Sequence, residues 1–178
     1  MEFDLLGDES AGPTLRLDHT EFAYAGKFVM SSTGKTVCRE DGSVVGAVAF
    51  SADRTDETTV RLRYVTVRET RRGEGIGPKL LRFTAAKLDG RYERIVIAVN
   101  NPIAYEACYR AGFAYTGEET GIAELVMCYR PADRDTERYR SGFAVFRERE
   151  LPAEHESICR RYAKSQPPEV VDIPDGAT

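Results

Sequence analysis

Three glycines in alternate positions lie between a valine-rich segment and an apolar helical pattern, in the stretch VRETRRGEGIGPKL. They are Gly73, Gly75 and Gly77. Glycine lets backbone N–H groups curl inward and lets phosphate oxygens approach with no Cβ in the way. The first N–H groups of a helix lack partners within it, and the helix dipole adds about half a positive charge there. The stretch is therefore predicted to bind phosphate, with Arg71 and Arg72 as neighbouring cations.

The spacing of this stretch excludes two nucleotide-binding motifs. A GxGxxG dinucleotide motif starting at Gly73 would need glycine where Pro78 stands, and a GxxxxGK(S/T) loop fits at no start. Pro78 suits the first turn of a helix, where its missing N–H is not needed. A tight glycine turn that only caps the helix is the alternative to phosphate binding.

The elements that would position this loop are a strand before it and a helix after it. VRLRYVTV has the β-branched and aromatic residues of a central strand. PKLLRFTAAKLDG has apolar residues at helical spacing, with Gly90 as the stop. Upstream, GKTVCREDGSVVGAVAF predicts a hairpin that turns at Asp41–Gly42. TLRLDH, residues 14–19, alternates apolar and polar residues and predicts an earlier strand.

A second junction of strand and helix follows. RIVIAV predicts a buried strand, and NNPIAYEACYRAG predicts a short helix. In that helix Asn101 suits the N-cap, Pro102 the first turn and Gly112 the left-handed C′ position. FAYTGE and IAELVMCYR predict two closing strands. This order of elements predicts a mixed α/β sheet with helical crossovers.

The chain changes character at Pro131, where charged helical sequence begins and continues with an interruption at Pro152. Apolar residues of this part, such as Phe143, are expected to pack against the domain. We expect one domain at residues 1–130 and a C-terminal helical extension with a loose tail at 131–178. The aromatic residues of the extension could also join two copies in a homodimer.

Composition excludes several classes of function. The chain has 178 residues, 42% hydrophobic and 30% charged, with a net charge of −4. Its apolar runs are too short to span a membrane, and its acidic start is unlike a secretory signal. Four scattered cysteines and two histidines predict neither a metal site nor a disulfide framework. The acidic balance argues against nucleic acid as the main partner. We therefore expect a cytoplasmic protein with no metal, nucleic-acid or membrane partner.

Two motifs carry a resemblance to a known family. With Arg72, the glycine stretch has the pattern RxxGxG after a strand, which closely resembles the acetyl-CoA signature of the GNAT family of N-acetyltransferases. The segment IAVNNPIAYEACYRAGF resembles that family's second motif, with Asn101, Ala104, Gly112 and Phe113 in place. The resemblance covers about residues 43–130. It implies a mostly antiparallel sheet flanked by helices.

The resemblance also implies where acetyl-CoA binds. The strand before the glycines would bend at a bulge, and its backbone would pair with pantetheine amides much as an added strand does. The glycine loop would hold the pyrophosphate beside Arg72. Asn101 would reach the pantetheine arm or the amine side, with a plain N-cap as the alternative. The implied cofactor-binding residues are Val65, Thr66, Val67, Arg72, Gly73, Glu74, Gly75, Ile76, Gly77 and Asn101.

The implied reaction moves an acetyl group from acetyl-CoA, a cosubstrate, to a primary amine by direct attack. It needs a neutral amine, donors to the oxyanion and a proton for the departing thiolate. At the position where the family usually has a proton-donating tyrosine, this chain has Cys108, and Tyr109 follows it. A shift of one residue turns a helical side chain by about 100°, so both residues are candidates for the acid. The base stays open among Tyr64, Thr66, Glu69, Glu118 and His19.

Alternatives remain for the acceptor and for the activity. Family members usually carry one or two helices between their first two strands, where this chain has the short aromatic segment TEFAYAGKFVMSSTG. The acceptor, a small-molecule or peptide amine, is therefore not implied by analogy. A longer acyl-CoA is a second possibility for the donor. A non-catalytic acyl-CoA sensor is the rival function, since Cys108 stands in place of the expected tyrosine.

Overall fold

The computed structural model describes residues 1–130 and 134–176, in which strands and helices form a mixed α/β fold. Within the described ranges, no helix has the length and apolar character needed to cross a membrane. The strands are β1 Glu2–Gly7, β2 Gly34–Glu40, β3 Ser43–Ala52, β4 Thr59–Val67, β5 Arg94–Val99, β6 Phe113–Glu119 and β7 Leu125–Tyr129. The α-helices are α1 Ile76–Leu88, α2 Pro102–Arg110, α3 Thr136–Arg147 and α4 Ala153–Tyr162.

The chain divides into two compact units. Unit 1 comprises Met1–Ile95 with the tail from Asp172, and unit 2 comprises Val96–Val171. In unit 1, β1, β2, β3 and β4 pair in that order, and in unit 2 β7 pairs with both β5 and β6. All of these pairings are antiparallel, which confirms the predicted mixed, mostly antiparallel fold with flanking helices and C-terminal helices. The predicted domain boundary at Pro131 lies outside the described residues.

The centre of unit 1 is the hairpin of β2 and β3. Its turn residues Asp41 and Gly42 have φ of 49° and 77°, the left-handed values of a type I′ turn, and the predicted hairpin is confirmed. The middle of β3 is buried because both of its faces are covered. Helix α1 lies so close on one face that a Cβ added at Gly46 would stand 3.2 Å from Leu80 Cδ2. Leu15 and Phe28 cover the other face.

The start of the chain differs from the prediction. The strand expected over TLRLDH, residues 14–19, is wrong, and the first strand is β1. The alternation of Leu15 and Leu17 has another cause, since both pack on the apolar cluster around Phe28 while Leu15 N donates to Phe28 O at 2.9 Å. An extended segment that lies across a sheet buries one side, as an edge strand does, so the same periodicity serves both.

The buried ammonium of Lys35 holds this N-terminal segment on the sheet. Its Nζ lies 2.6 Å from the carbonyl oxygens of Pro13 and Met30 and 3.0 Å from both the carbonyl and hydroxyl oxygens of Thr33. Burial lowers the pKa of Lys35. Between β1 and β2 the described chain forms no α-helix, only a 3₁₀ turn at Ala25–Lys27, as the short aromatic segment suggested.

Unit 2 is built around an aromatic cluster. Tyr105 and Tyr109 of α2 pack against Tyr139 and Phe143 of α3, with ring centroids 4.6 to 6.2 Å apart. Phe143 is fully buried, so the extension packs on the domain as predicted. The predicted interruption at Pro152 is also confirmed, because Pro152 is the N-cap of α4.

Candidate functional site

The glycine stretch forms a turn at the start of α1. After β4, a 3₁₀ turn leads to Gly73 and Gly75, with φ of 86° and 78°, and α1 begins at Ile76. In the part of the chain that the structure describes, the N–H groups of Gly73, Glu74, Gly75, Ile76 and Gly77 donate to no protein acceptor. Five free donors at a helix N-terminus are suited to an anion, and we call this turn the cradle; that it binds phosphate stays a prediction.

The space above this cradle is open. A Cβ added at Gly73 would meet no atom within 4 Å, and one at Gly77 would meet only Val67 Cγ2, at 3.8 Å. Crowding by the protein therefore does not explain these glycines. Gly73 and Gly75 are explained by their positive φ, which also makes Gly75 a left-handed helix cap. The turn caps the helix and leaves room for a ligand, so both readings of the motif are compatible with its geometry.

The two arginines beside the cradle have different surroundings. Arg71 donates hydrogen bonds to the carboxylates of Glu40 and Glu74, with 2.8 Å between Arg71 Nε and Glu74 Oε2. The two carboxylates raise the pKa of Arg71. Arg72 has a half-exposed side chain and only a 3.7 Å contact with Glu69 Oε1. An exposed pair at that distance is weak. Of the two arginines, Arg72 is therefore the one that remains available to an anion at this end of α1.

Strand β4 contains the bulge that the resemblance implied. Ala49 pairs with Tyr64 while Phe50 pairs with Leu62, so Arg63 is an extra residue on β4. Val65, Thr66 and Val67 follow the bulge and lead to the cradle. Thr66 is buried, and its hydroxyl has no hydrogen-bond partner among the described residues. Unit 1 thus brings together most of the predicted cofactor-binding residues in one continuous segment.

Asn101 lies in unit 2 and caps α2. Its Oδ1 accepts from Ala104 N at 2.9 Å, and Pro102 follows in the first turn. The predicted N-cap is confirmed. The role of Asn101 toward pantetheine or the amine stays a prediction.

Cys108 and Tyr109 are both buried in unit 2. Burial raises the pKa of the Cys108 thiol, and it raises the pKa of Tyr109 as well. The Tyr109 hydroxyl accepts a hydrogen bond from Tyr115 N at 3.1 Å, and the guanidinium of Arg134 lies 5.3 Å from the centre of its ring. A raised pKa makes each group a weaker proton donor, and their part in catalysis stays a prediction.

The structure adds a cavity that sequence reasoning missed. It is shallow and open to solvent over most of its surface, with a volume of about 400 Å³, and it belongs to unit 1. Its walls come from Tyr24, Ala25, Gly26, Lys27 and Met30. The aromatic character of this segment was visible in the sequence, but a loop has no periodicity from which a lining can be predicted.

Other features of the site can be stated for the described residues. No group of three or more His, Cys, Asp or Glu side chains there is placed to hold a metal ion. The four cysteines are free thiols. Of the candidate bases, Glu69 and His19 are exposed, and Tyr64 is half-buried.

Comparison with known proteins gives a family match. Residues 5–113, more than half of the 178-residue chain, match the sequence model of the Acetyltransferase (GNAT) family. None of the curated proteins compared with the chain matches it significantly.

Several solved structures are similar to this chain. An IAA acetyltransferase from Bacillus cereus is 21% identical over 55% of this chain and 77% of its own, with a TM-score of 0.45. The protein smu.2055 from Streptococcus mutans is 20% identical over 55% of this chain and 69% of its own, with a TM-score of 0.47. A ribosomal-protein-alanine N-acetyltransferase from Brucella melitensis is 20% identical over 54% and 67%, with a TM-score of 0.47.

Proposed function

This chain belongs to the Acetyltransferase (GNAT) family, and on that premise we propose that it transfers an acetyl group from acetyl-CoA to a primary amine. The observation that carries the proposal is the cradle of five unpartnered amides at the start of α1. Coenzyme A carries a diphosphate, and a helix N-terminus with free N–H groups binds such a group well. Arg72 would add a charge-assisted hydrogen bond to the same group.

The pantetheine arm would lie along β4. The strand leads directly into the cradle, so an arm that starts at the diphosphate can run back along Val67, Thr66 and Val65. Their backbone would pair with pantetheine amides as a neighbouring strand would. The thioester would then come to the level of the bulge at Arg63 and of Tyr64.

The reaction is a direct acyl transfer. The lone pair of the neutral amine attacks the thioester carbonyl, a C–N bond forms, and the C–S bond breaks with its electron pair on sulfur. The nitrogen loses one proton to a base or to water, and the coenzyme A thiolate takes up one proton from an acid or from water. Holding the two reactants in contact supplies much of the rate enhancement.

Tyr109 and Cys108 are the proposed acids for the thiolate. The Tyr109→Phe variant should turn over more slowly while its affinity for acetyl-CoA stays unchanged. Tyr129→Phe is the matched control, because Tyr129 is another buried tyrosine of unit 2, whose ring packs on Phe113 with centroids 5.3 Å apart. Melting temperatures of both variants report lost packing. Unchanged turnover in Tyr109→Phe, or an equal loss in Tyr129→Phe, would remove Tyr109 from the mechanism.

Two measurements on the purified protein test the proposed function. Calorimetry with acetyl-CoA measures binding, and release of free thiol in the presence of a panel of amines measures transfer. We expect both, and we expect a bulky residue in place of Gly75 to abolish binding. Binding without release on any amine would favour the non-catalytic sensor. Faster thiol release from a longer acyl-CoA than from acetyl-CoA would identify the longer acyl-CoA as the donor. Absence of acetyl-CoA binding would refute both the transferase and the sensor.

A further inference from the structure

The cavity of unit 1 has an unusual wall for a surface loop. Tyr24 is 58% exposed and Met30 is 48% exposed, although both are large and apolar. Tyr24 also has φ 58° and ψ 19°, a left-handed conformation that is uncommon for a bulky residue. Clustered apolar side chains that remain in solvent mark sites of interaction more often than scattered ones. The aromatic ring of Tyr24 and the thioether of Met30 are therefore exposed to solvent at this shallow cavity.

This wall is adjacent to the part of β4 where the thioester is expected. The ring centres of Tyr24 and Tyr64 are 5.9 Å apart, and Lys27 Nζ lies 5.7 Å from the centre of the Tyr64 ring. Tyr64 follows the bulge at Arg63, and its cross-strand partner is Ala49. A molecule in the cavity would thus lie beside the same strand that is proposed to carry pantetheine.

Two anchors hold the wall in place. The Lys35 ammonium is fully buried, and it donates a hydrogen bond to Met30 O at 2.6 Å. At the other end, Glu69 N donates to Glu21 O at 2.8 Å, which ties the segment to the turn after β4. These two hydrogen bonds fix both ends of the segment that lines the cavity.

The charge of the wall selects among amines. Lys27 is the one charged residue among the five that line the cavity. The Lys35 ammonium donates to the backbone oxygen of Met30, which places a second positive charge near this segment. A polyamine or aminoglycoside needs carboxylates around its several ammonium groups, and the wall offers none. A carboxylate on the acceptor would instead pair with Lys27.

We propose that Tyr24, Lys27 and Met30 bind the acceptor, and that this acceptor is an aromatic or apolar amine carrying a carboxylate. The inference rests on the proposed acetyl transfer, because an acceptor exists only if the chain transfers an acetyl group. In this arrangement the apolar body of the acceptor packs on Tyr24 and Met30, and its carboxylate pairs with the Lys27 ammonium. Its amine is left to face β4 near Tyr64.

The test compares three amines that differ in one property each. Phenylalanine has the ring and the carboxylate, phenethylamine has the ring alone, and spermidine has several positive charges and no ring. Thiol release at saturating acetyl-CoA gives kcat and KM for each amine. Direct calorimetric binding of each amine to the full chain, without acetyl-CoA, gives a second readout that needs no catalysis.

The variants are Lys27→Gln and a matched control, Lys87→Gln. Lys87 also stands over an aromatic ring, with Nζ 5.3 Å from the centre of Phe83, but lies on α1 away from the cavity wall. We expect Lys27→Gln to raise the KM and Kd for phenylalanine about threefold, the effect of losing an ion pair with an exposed lysine. The values for phenethylamine and for acetyl-CoA should not change, and Lys87→Gln should change none of them.

Three kinetic results would overturn the inference, and calorimetry decides it where no amine is acetylated. Preference for spermidine, equal use of phenylalanine and phenethylamine, or a phenylalanine KM that ignores Lys27→Gln would each refute the acceptor class while leaving acetyl transfer intact. If no amine is acetylated, the proposed function fails, and calorimetry still decides the site. Binding of phenylalanine that depends on Lys27 would support the site, and absence of such binding would refute it.

Discussion

Replacement of Gly73 by aspartate tests the cradle most sharply, because the chain contains a matched control. Gly73 has φ 86° and Gly90, at the other end of α1, has φ 82°. A Cβ added at either position meets no atom within 4 Å. Aspartate tolerates left-handed backbone better than most residues, so Gly73→Asp and Gly90→Asp should lose similar, small amounts of stability. The two variants differ only in whether the new carboxylate enters the proposed phosphate site.

The size of the effect follows from Coulomb's law. A carboxylate ~5 Å from a diphosphate with about two negative charges costs roughly 1.7 kcal/mol even with the dielectric constant of water, and more where the protein excludes water. That corresponds to at least a tenfold weaker affinity for acetyl-CoA. Gly90→Asp should bind as the natural chain does. The loss in Gly73→Asp should shrink as salt is raised, because ions screen exposed charges.

The assay is calorimetric titration of the three proteins with acetyl-CoA at low and high ionic strength, with melting temperatures measured in parallel. Equal affinities for Gly73→Asp and the natural chain would show that the diphosphate does not lie on these amides. An equal loss in Gly90→Asp would show that backbone strain, and not the local charge, weakens binding. Either result would refute the cradle on which the proposed function depends.

Three further predictions concern stability and reactivity. Lys35→Met should lower the free energy of unfolding by about 3 kcal/mol in urea denaturation, since three carbonyls, one buried and two partly buried, lose their donor at roughly 1 kcal/mol each; an unchanged midpoint would contradict it. Gly142→Ala should lower the melting temperature, because its Cβ would stand 2.2 Å from Tyr105 Cζ, and a stable variant would show that the ring can move. Burial raises the pKa of Cys38 to about 11, so little thiolate exists below that pH and alkylation at pH 8 should label the partly exposed Cys128 first, which peptide mapping checks.

Much of the fold could be predicted from the sequence because many of its decisions are local. The type I′ turn at Asp41–Gly42, the cap at Asn101 and the start of α1 after Gly75 each depend on the backbone preferences of residues within one turn of one another. The glycine turn belongs to the same class, because Gly73 and Gly75 adopt positive φ without the steric cost that a side chain would add.

The sequence by itself therefore determined the glycine turn, the caps and the order of elements from β2 onward, and only the tertiary structure decided the place of the first strand and which side chains are available for chemistry. Arg71 and Arg72 are adjacent in the chain, yet Glu40, 31 residues away, bonds Arg71 and leaves Arg72 available. Likewise, Leu15 and Leu17 lie on a sheet instead of forming a strand, and Lys35 gathers carbonyls from both ends of a loop. These features depend on contacts between segments that are far apart in the sequence, and such contacts cannot be predicted from the local spacing of residues.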